Sequence, residues 1–308
     1  AFDAGTTLTG GTGTDTLQIS QKATSGNATA KIDGDITGFD KIVVTDTAGN
    51  NTGGVTLDID DAAYATALDI DTTALDAGEA DEVAASNATK AITVNAGEGI
   101  STIATGTKAD TVNSGGGNDI INTQAGLDVI NAGAGNDAIT FDTEGDFLTT
   151  LGTSTVDGGA GTDSLTFSAA ATLATSELTN ISSIETLSLA TGSTLTVNDA
   201  FLAANPGLTI QPGATSTIKA STATGDSLST ALNIAANAAG NLSLLGGTGD
   251  DSFTFYATET LTVLDTVNGG TGTDQIIVDI VDATPQAGVG VDTTAVLDTN
   301  ISNIETVK

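Results

Sequence analysis

Four consecutive nine-residue segments between positions 105 and 140 constrain this chain more than anything else in it: TGTKADTVN, SGGGNDIIN, TQAGLDVIN and AGAGNDAIT. Asp110, Asp119, Asp128 and Asp137 share one phase of this period, and Val112, Ile121, Ile130 and Ile139 share another. Each segment therefore reads as a tight turn followed by a short strand. One β-branched residue per segment cannot make a core alone, so the segments must stack and bury it between them. Successive turns are expected on alternate sides of the stack. Turns two segments apart then become neighbours: 114–119 over 132–137, and 105–110 over 123–128.

The turns have a chemistry of their own. Glycine reaches positive φ without steric cost, which lets carbonyl oxygens converge on one point. Carbonyls and one short carboxylate per turn make a hard oxygen cage, and calcium takes six to eight such oxygens at about 2.3–2.6 Å. The same pattern recurs outside the comb, at Gly10-Gly11-Thr12-Gly13-Thr14-Asp15, Gly158-Gly159-Ala160-Gly161-Thr162-Asp163, Gly246-Gly247-Thr248-Gly249-Asp250-Asp251 and Gly269-Gly270-Thr271-Gly272-Thr273-Asp274. The candidate metal ligands are the aspartates Asp15, Asp110, Asp119, Asp128, Asp137, Asp163, Asp251 and Asp274. Their turns contribute carbonyls at Gly11, Gly13, Gly115, Gly117, Gly133, Gly135, Gly159, Gly161, Gly247, Gly249, Gly270 and Gly272. Aspartate and glycine are also ordinary turn formers, so a single motif of this kind would mean little. The shared phase is what carries weight.

These residues resemble the nonapeptide G-G-x-G-x-D-x-U-x of the RTX family, the secreted calcium-binding repeat proteins. The resemblance implies a parallel β-roll with Ca2+ in the turns and secretion by a type I system. The match is close at Gly115-Gly116-Gly117-Asn118-Asp119 and at Gly133-Ala134-Gly135-Asn136-Asp137. It is poorer on the other side, where Lys108 stands at a glycine position and the 123–128 turn keeps only Gly126. One side of the roll is therefore expected to bind calcium better than the other.

Composition narrows the remaining choices. Among 308 residues there are 38 glycines, no cysteine, no histidine, no methionine and no tryptophan. Seven basic residues face 39 acids, for a net charge of −32, which repels nucleic acid and anionic membranes. Absent cysteine removes disulfides and thiolate metal sites. Absent histidine removes most general bases. The string Gly225-Asp226-Ser227-Leu228 spells a hydrolase motif, but its serine would lack a histidine partner, so no enzyme is expected. No apolar run approaches the roughly 18 residues of a membrane span, and no secretory signal stands at Ala1.

The elements recur in a longer period: a first segment over 1–157, a second over 158–268 and a partial third over 269–308, all in one continuous solenoid. Phe39-Asp40-Lys41-Ile42, Ile184-Glu185-Thr186-Leu187 and Ile304-Glu305-Thr306-Val307 mark matching strands, whose acids Asp40, Glu185 and Glu305 are expected in solvent. Residues 71–90, with Asp76, Glu79, Asp81 and Glu82, read as a loop. Asp58, Asp60, Asp61, Asp69 and Asp71 read either as a further calcium site or as a solvated acidic face. Asn198 is expected to cap a short helix ended by Pro206-Gly207. Both ends are expected to fall inside a repeat, so the chain reads as a piece of a longer array.

The expected fold is all-β, a right-handed parallel β-roll or β-solenoid with almost no helix. The pairing of the I-E-T strand with GGxGTD, and the Thr, Ala and Gly content, are similar to bacterial RTX surface-layer (S-layer) proteins, which form a calcium-held paracrystalline coat. This resemblance implies a calcium-binding structural subunit, secreted and located at the cell surface. Its expected partner is itself, as a homo-oligomer or lattice, with cell-surface polysaccharide as a further candidate. The alternatives are an extender or ligand-binding region of a large RTX adhesin, and a fragment of a secreted RTX enzyme or toxin.

Overall fold

The computed structural model describes residues 8–21, 28–32, 36–46, 54–59, 67–149, 152–221, 229–236, 241–256, 265–279 and 300–308. They fall in two compact units, Ala1–Leu165 and Thr166–Lys308. Each unit is a parallel β-solenoid whose short strands alternate between two sheets. Among the described residues the only α-helices are the short Glu144–Phe147 and Asp199–Ala204. The Gly225–Leu228 string, Asp60 and Asp61 lie outside the described residues.

In the first unit the nine-residue period produces the alternation directly. Thr111–Asn113 and Val129–Asn131 pair in one sheet, with Val112 opposite Ile130. Ile120–Asn122 and Ala138–Phe141 pair in the other, with Ile121 opposite Ile139. The register extends both ways along the stack. Ile42, Ile70, Val94, Val112, Ile130 and Val156 form one continuous inward row. Leu57, Val83, Ile103, Ile121 and Ile139 form the other. All of these side chains are at most 1% exposed. Burying each is worth about 1.5–3 kcal/mol, and none can be buried by its own coil.

The second unit repeats the scheme with coils of different length. Leu187, Ile210, Ile234, Phe253 and Ile276 line one inward row. Leu173, Leu195, Ile218, Leu244 and Val267 line the other. Helix Asp199–Ala204 is capped by Asn198 as expected, with the Phe201 N–H donating to Asn198 Oδ1 at 2.9 Å.

The 71–90 segment is turns over 72–80, in keeping with its reading as a loop, but departs from it at 81–84. Asp81–Ala84 is a strand between Val55–Ile59 and Ser101–Ala104, with Asp81, Val83 and Ala85 inward. Acidic residues hid the alternation, because one of the inward positions is itself an aspartate. Nor do Asp69 and Asp71 point to a calcium site: both hold the Lys41 ammonium, at 3.2 and 3.0 Å. The Asp71 hydrogen bond is the largest influence raising the Lys41 pKa. Asp58 is exposed on its strand.

Candidate metal centres

Parallel register places an equivalent residue at the entrance to every strand, and there the aspartates collect. On one edge the order is Asp81, Ser101, Asp119, Asp137, Asp163. The Ser101 N–H donates to Asp119 Oδ1 at 2.7 Å, the Asp119 N–H to Asp137 Oδ1 at 2.7 Å, and the Asp137 N–H to Asp163 Oδ1 at 2.8 Å. On the other edge the order is Ile92, Asp110, Asp128, Ser154. The Ile92 N–H donates to Asp110 at 2.7 Å, the Asp110 N–H to Asp128 at 2.8 Å, and the Asp128 N–H to Ser154 Oγ at 3.0 Å. Each carboxylate thus takes up a backbone donor one coil away. The expected stacking of 114–119 on 132–137 and of 105–110 on 123–128 is realised.

That ladder uses only one oxygen of each carboxylate. The Oδ2 atoms of Asp110, Asp119, Asp128, Asp137 and Asp274 are buried and make no hydrogen bond. A buried carboxylate with one oxygen unsatisfied is costly in its charged form. Burial accordingly pushes Asp119 and Asp128 up to about 7 and Asp137 to about 6, against the pull of the N–H groups they accept and, for Asp119 and Asp128, of the nearby Ser114 and Thr123 hydroxyls. Asp110 and Asp274 are raised for the same reason. Buried carboxylate oxygens one coil apart are hard donors of the type a divalent cation takes.

The two edges differ in their glycines. On the first, Gly115, Gly117, Gly133, Gly135, Gly159 and Gly161 all take φ between +89° and +147°. A Cβ on Gly133 would lie 2.1 Å from the Gly115 oxygen, and one on Gly135 1.6 Å from the Gly117 oxygen. These turns bond directly through Ala134 N–H to Gly115 O and Ala160 N–H to Gly133 O, at 2.9 and 2.7 Å. On the second edge Gln124, at φ +52°, is the only residue of the 105–109 and 123–127 turns with positive φ, and Lys108 is exposed.

The isolated motifs are not alike. Asp15 Oδ2 accepts the N–H of Gly11 from its own turn at 2.7 Å, and Asp251 Oδ2 that of Gly247 at 3.0 Å. Those second oxygens are therefore already engaged, although burial still lifts Asp251 to about 6. Gly13 keeps φ +120°, whereas neither Gly247 nor Gly249 has positive φ. The 269–274 turn follows the first-edge pattern, with Gly270 at +98°, Gly272 at +145° and Asp274 Oδ1 accepting the Asp251 N–H.

Several members of the ladder escaped the motif. Asp40 Oδ2 accepts the Asp15 N–H at 2.8 Å, and Glu305 Oε2 the Asp274 N–H at 2.6 Å. These acids cap a neighbouring coil rather than simply facing solvent; Glu185 is half-buried at the entrance to Thr186–Leu189. Asp265 caps Leu242 at 2.8 Å. A signal for it was present: Asp265-Thr266-Val267-Asn268 repeats Asp110-Thr111-Val112-Asn113, without the glycines.

No family model, no curated protein and no solved structure matches this chain.

Proposed function

We propose that the chain is a calcium-binding structural protein of an extracellular assembly, of RTX type, and serves as a subunit of a bacterial surface-layer lattice. The observation that carries the reading is the column of stacked glycine–aspartate turns with buried, half-satisfied carboxylates. Asp119 and Asp137 with the carbonyls of Gly115, Gly117, Gly133 and Gly135 would hold one ion. Asp163 with Gly159 and Gly161, and Asp274 with Gly270 and Gly272, would hold others. Calcium there would give the Oδ2 atoms of Asp119, Asp137 and Asp274 a positive partner. Binding that requires the folded turns adds its free energy to folding, about 2.7 kcal/mol per site at a hundredfold excess.

The charge of −32 supports the assembly half of the reading. Like-charged copies pack side by side only with counterions, and a divalent ion can bridge carboxylates of two copies. The test is electron microscopy and circular dichroism of the purified chain in millimolar calcium and in chelator. Ordered sheets in calcium that dissolve to subunits on chelation are expected. Monomers or end-to-end filaments in calcium would favour the adhesin extender, and an unchanged spectrum on chelation would leave the turns purely structural.

A further inference from the structure

The foot of the first turn column carries acids that the glycine motif does not include. Strand Lys41–Asp46 pairs with Leu68–Asp71 only as far as Val43, so Val44, Thr45 and Asp46 run on past it. The chain of the next coil leaves the sheet there in two tight turns. Leu75 N–H closes the first on Thr72 O, and Glu79 N–H closes the second on Asp76 O, both at 2.9 Å. Buried Leu75 anchors the segment from below. Carboxylate oxygens of Asp46, Asp76 and Glu79 all lie within 4.8 Å of one another.

A cluster of acids alone means little, because exposed carboxylates group without binding anything. Glu79 is different. It is 1% exposed. One oxygen, Oε2, accepts the Asp76 N–H at 2.9 Å, while the other, Oε1, is buried with no hydrogen bond. Glu79 thus brings to this group of acids a buried carboxylate oxygen that makes no hydrogen bond.

We propose that Asp46, Asp76 and Glu79 form a separate divalent-cation site that takes calcium. Carboxylates are hard donors, and a chain without histidine or cysteine has no softer ligand to offer. Calcium tolerates an irregular set of oxygen ligands, whereas magnesium demands a near-ideal octahedron. The site does not depend on the proposal for the glycine–aspartate turns and can exist without it.

Its position gives the ion a purpose. Glu98 N–H donates to Leu75 O at 3.3 Å, and a Cβ on Gly99 would fall 1.8 Å from Glu79 O. Gly115 and Gly117 stack in turn on Gly97 and Gly99. The 72–80 segment is thus the base on which the first turn column is built. An ion joining Asp46 to Asp76 and Glu79 ties that base to the preceding strand.

The test is equilibrium dialysis of the chelator-stripped full chain against radioactive calcium, counting ions per chain. Asp46→Asn and Glu79→Gln are each expected to bind one ion fewer, or to weaken one site at least tenfold. Asp119→Asn with Asp137→Asn should leave this ion in place, so loss of the turn sites is distinguishable from loss of this one. Asp46 lies at a half-buried strand end, so its variant tests the site even if Glu79→Gln does not fold. Unchanged ion counts and affinities in a folded Asp46→Asn variant would overturn the proposal. So would a folded Glu79→Gln variant with its ion count intact.

Discussion

The two edges of the first unit carry the same aspartate ladder on different turns. Asp119 and Asp137 on one edge and Asp110 and Asp128 on the other cap backbone donors one coil away at 2.7–2.8 Å. All four keep a buried oxygen without a hydrogen bond. Yet left-handed glycines occur at both motif positions on the first edge and at neither on the second. The aspartate therefore belongs to the stack: any coil entering a strand here must satisfy a backbone N–H. The glycines belong to whatever the turn encloses, because the ladder forms without their positive φ. A motif that joins the two is a structural device and a binding device sharing one residue.

The largest expected effect tests the glycine half. Gly135→Ala must place a methyl 1.6 Å from a carbonyl oxygen at φ +133°, which only a backbone shift can relieve. It should cost about 3 kcal/mol or more, as severe packing and backbone conflicts do. Lys108→Ala at the corresponding exposed turn position of the second edge should fall within about 0.5 kcal/mol. Denaturant unfolding in calcium measures both, and equal losses would mean that the two kinds of turn are built alike.

Next in size is the response to calcium. Asp119→Asn with Asp137→Asn keeps an oxygen for the ladder but removes the charge. This pair should lose most of the calcium-induced rise in melting temperature contributed by its turn, equivalent to about 2.7 kcal/mol at a hundredfold excess. Asp110→Asn with Asp128→Asn should leave the rise nearly intact. If both pairs lose it equally, the glycines do not decide where calcium binds.

Protons offer a smaller contrast, and here the edges should agree. In chelator the folded chain holds protons on Asp119 and Asp128 up to about pH 7 and on Asp137 up to about pH 6, while an unfolded aspartate releases its proton near 3.8. Between these values the folded state binds more protons, so stability is highest near pH 4 and falls as pH rises to about 7. Calcium needs the deprotonated form, so the calcium-induced shift should grow over the same range. Asp119→Asn and Asp128→Asn should flatten the chelator profile about equally. A stability that rose from pH 4 to 7 in chelator would contradict the burial of these carboxylates.

Much of this was legible in the chain because a nine-residue period leaves few choices. The comb set the strand spacing, the inward row of Val112, Ile121, Ile130 and Ile139, and the stacking of turns eighteen residues apart. What escaped lay where coil length changes. The helix Glu144–Phe147 and the hairpin Leu148–Thr149 with Gly152–Thr153 stretch the spacing from Asp137 to Asp163 to 26 residues. No period announces that they stack. Asp40 and Glu305 cap a neighbouring coil although an acid on a short strand resembles a solvated one until its coil-to-coil register is known, and Asp81 lies on a strand although its acidic surroundings read as a loop. Asp15 and Asp251 share the motif with Asp119, but only three-dimensional contacts reveal that their second oxygen closes on its own turn.

The smallest effect is the most direct test of whether glycine makes the site. The second edge has its ladder, its buried Oδ2 atoms on Asp110 and Asp128, and close stacking, with the Gly126 Cβ position 2.3 Å from Lys108 O. It lacks left-handed glycine at the positions held by Gln124 and Lys108, and Lys108 adds a positive charge to the turn, which disfavours a second cation there. Gln124→Gly and Lys108→Gly together would restore both conditions. Removing one exposed charge is worth at most about 1 kcal/mol, or roughly fivefold in affinity, and less at high salt. The glycines add conformational freedom but also raise the entropy lost on folding, by about 0.5–1 kcal/mol each. The double variant should therefore be slightly less stable in chelator and gain one weak calcium ion, visible as extra counts in equilibrium dialysis. An unchanged ion count would show that left-handed glycine alone does not turn an aspartate ladder into a calcium site.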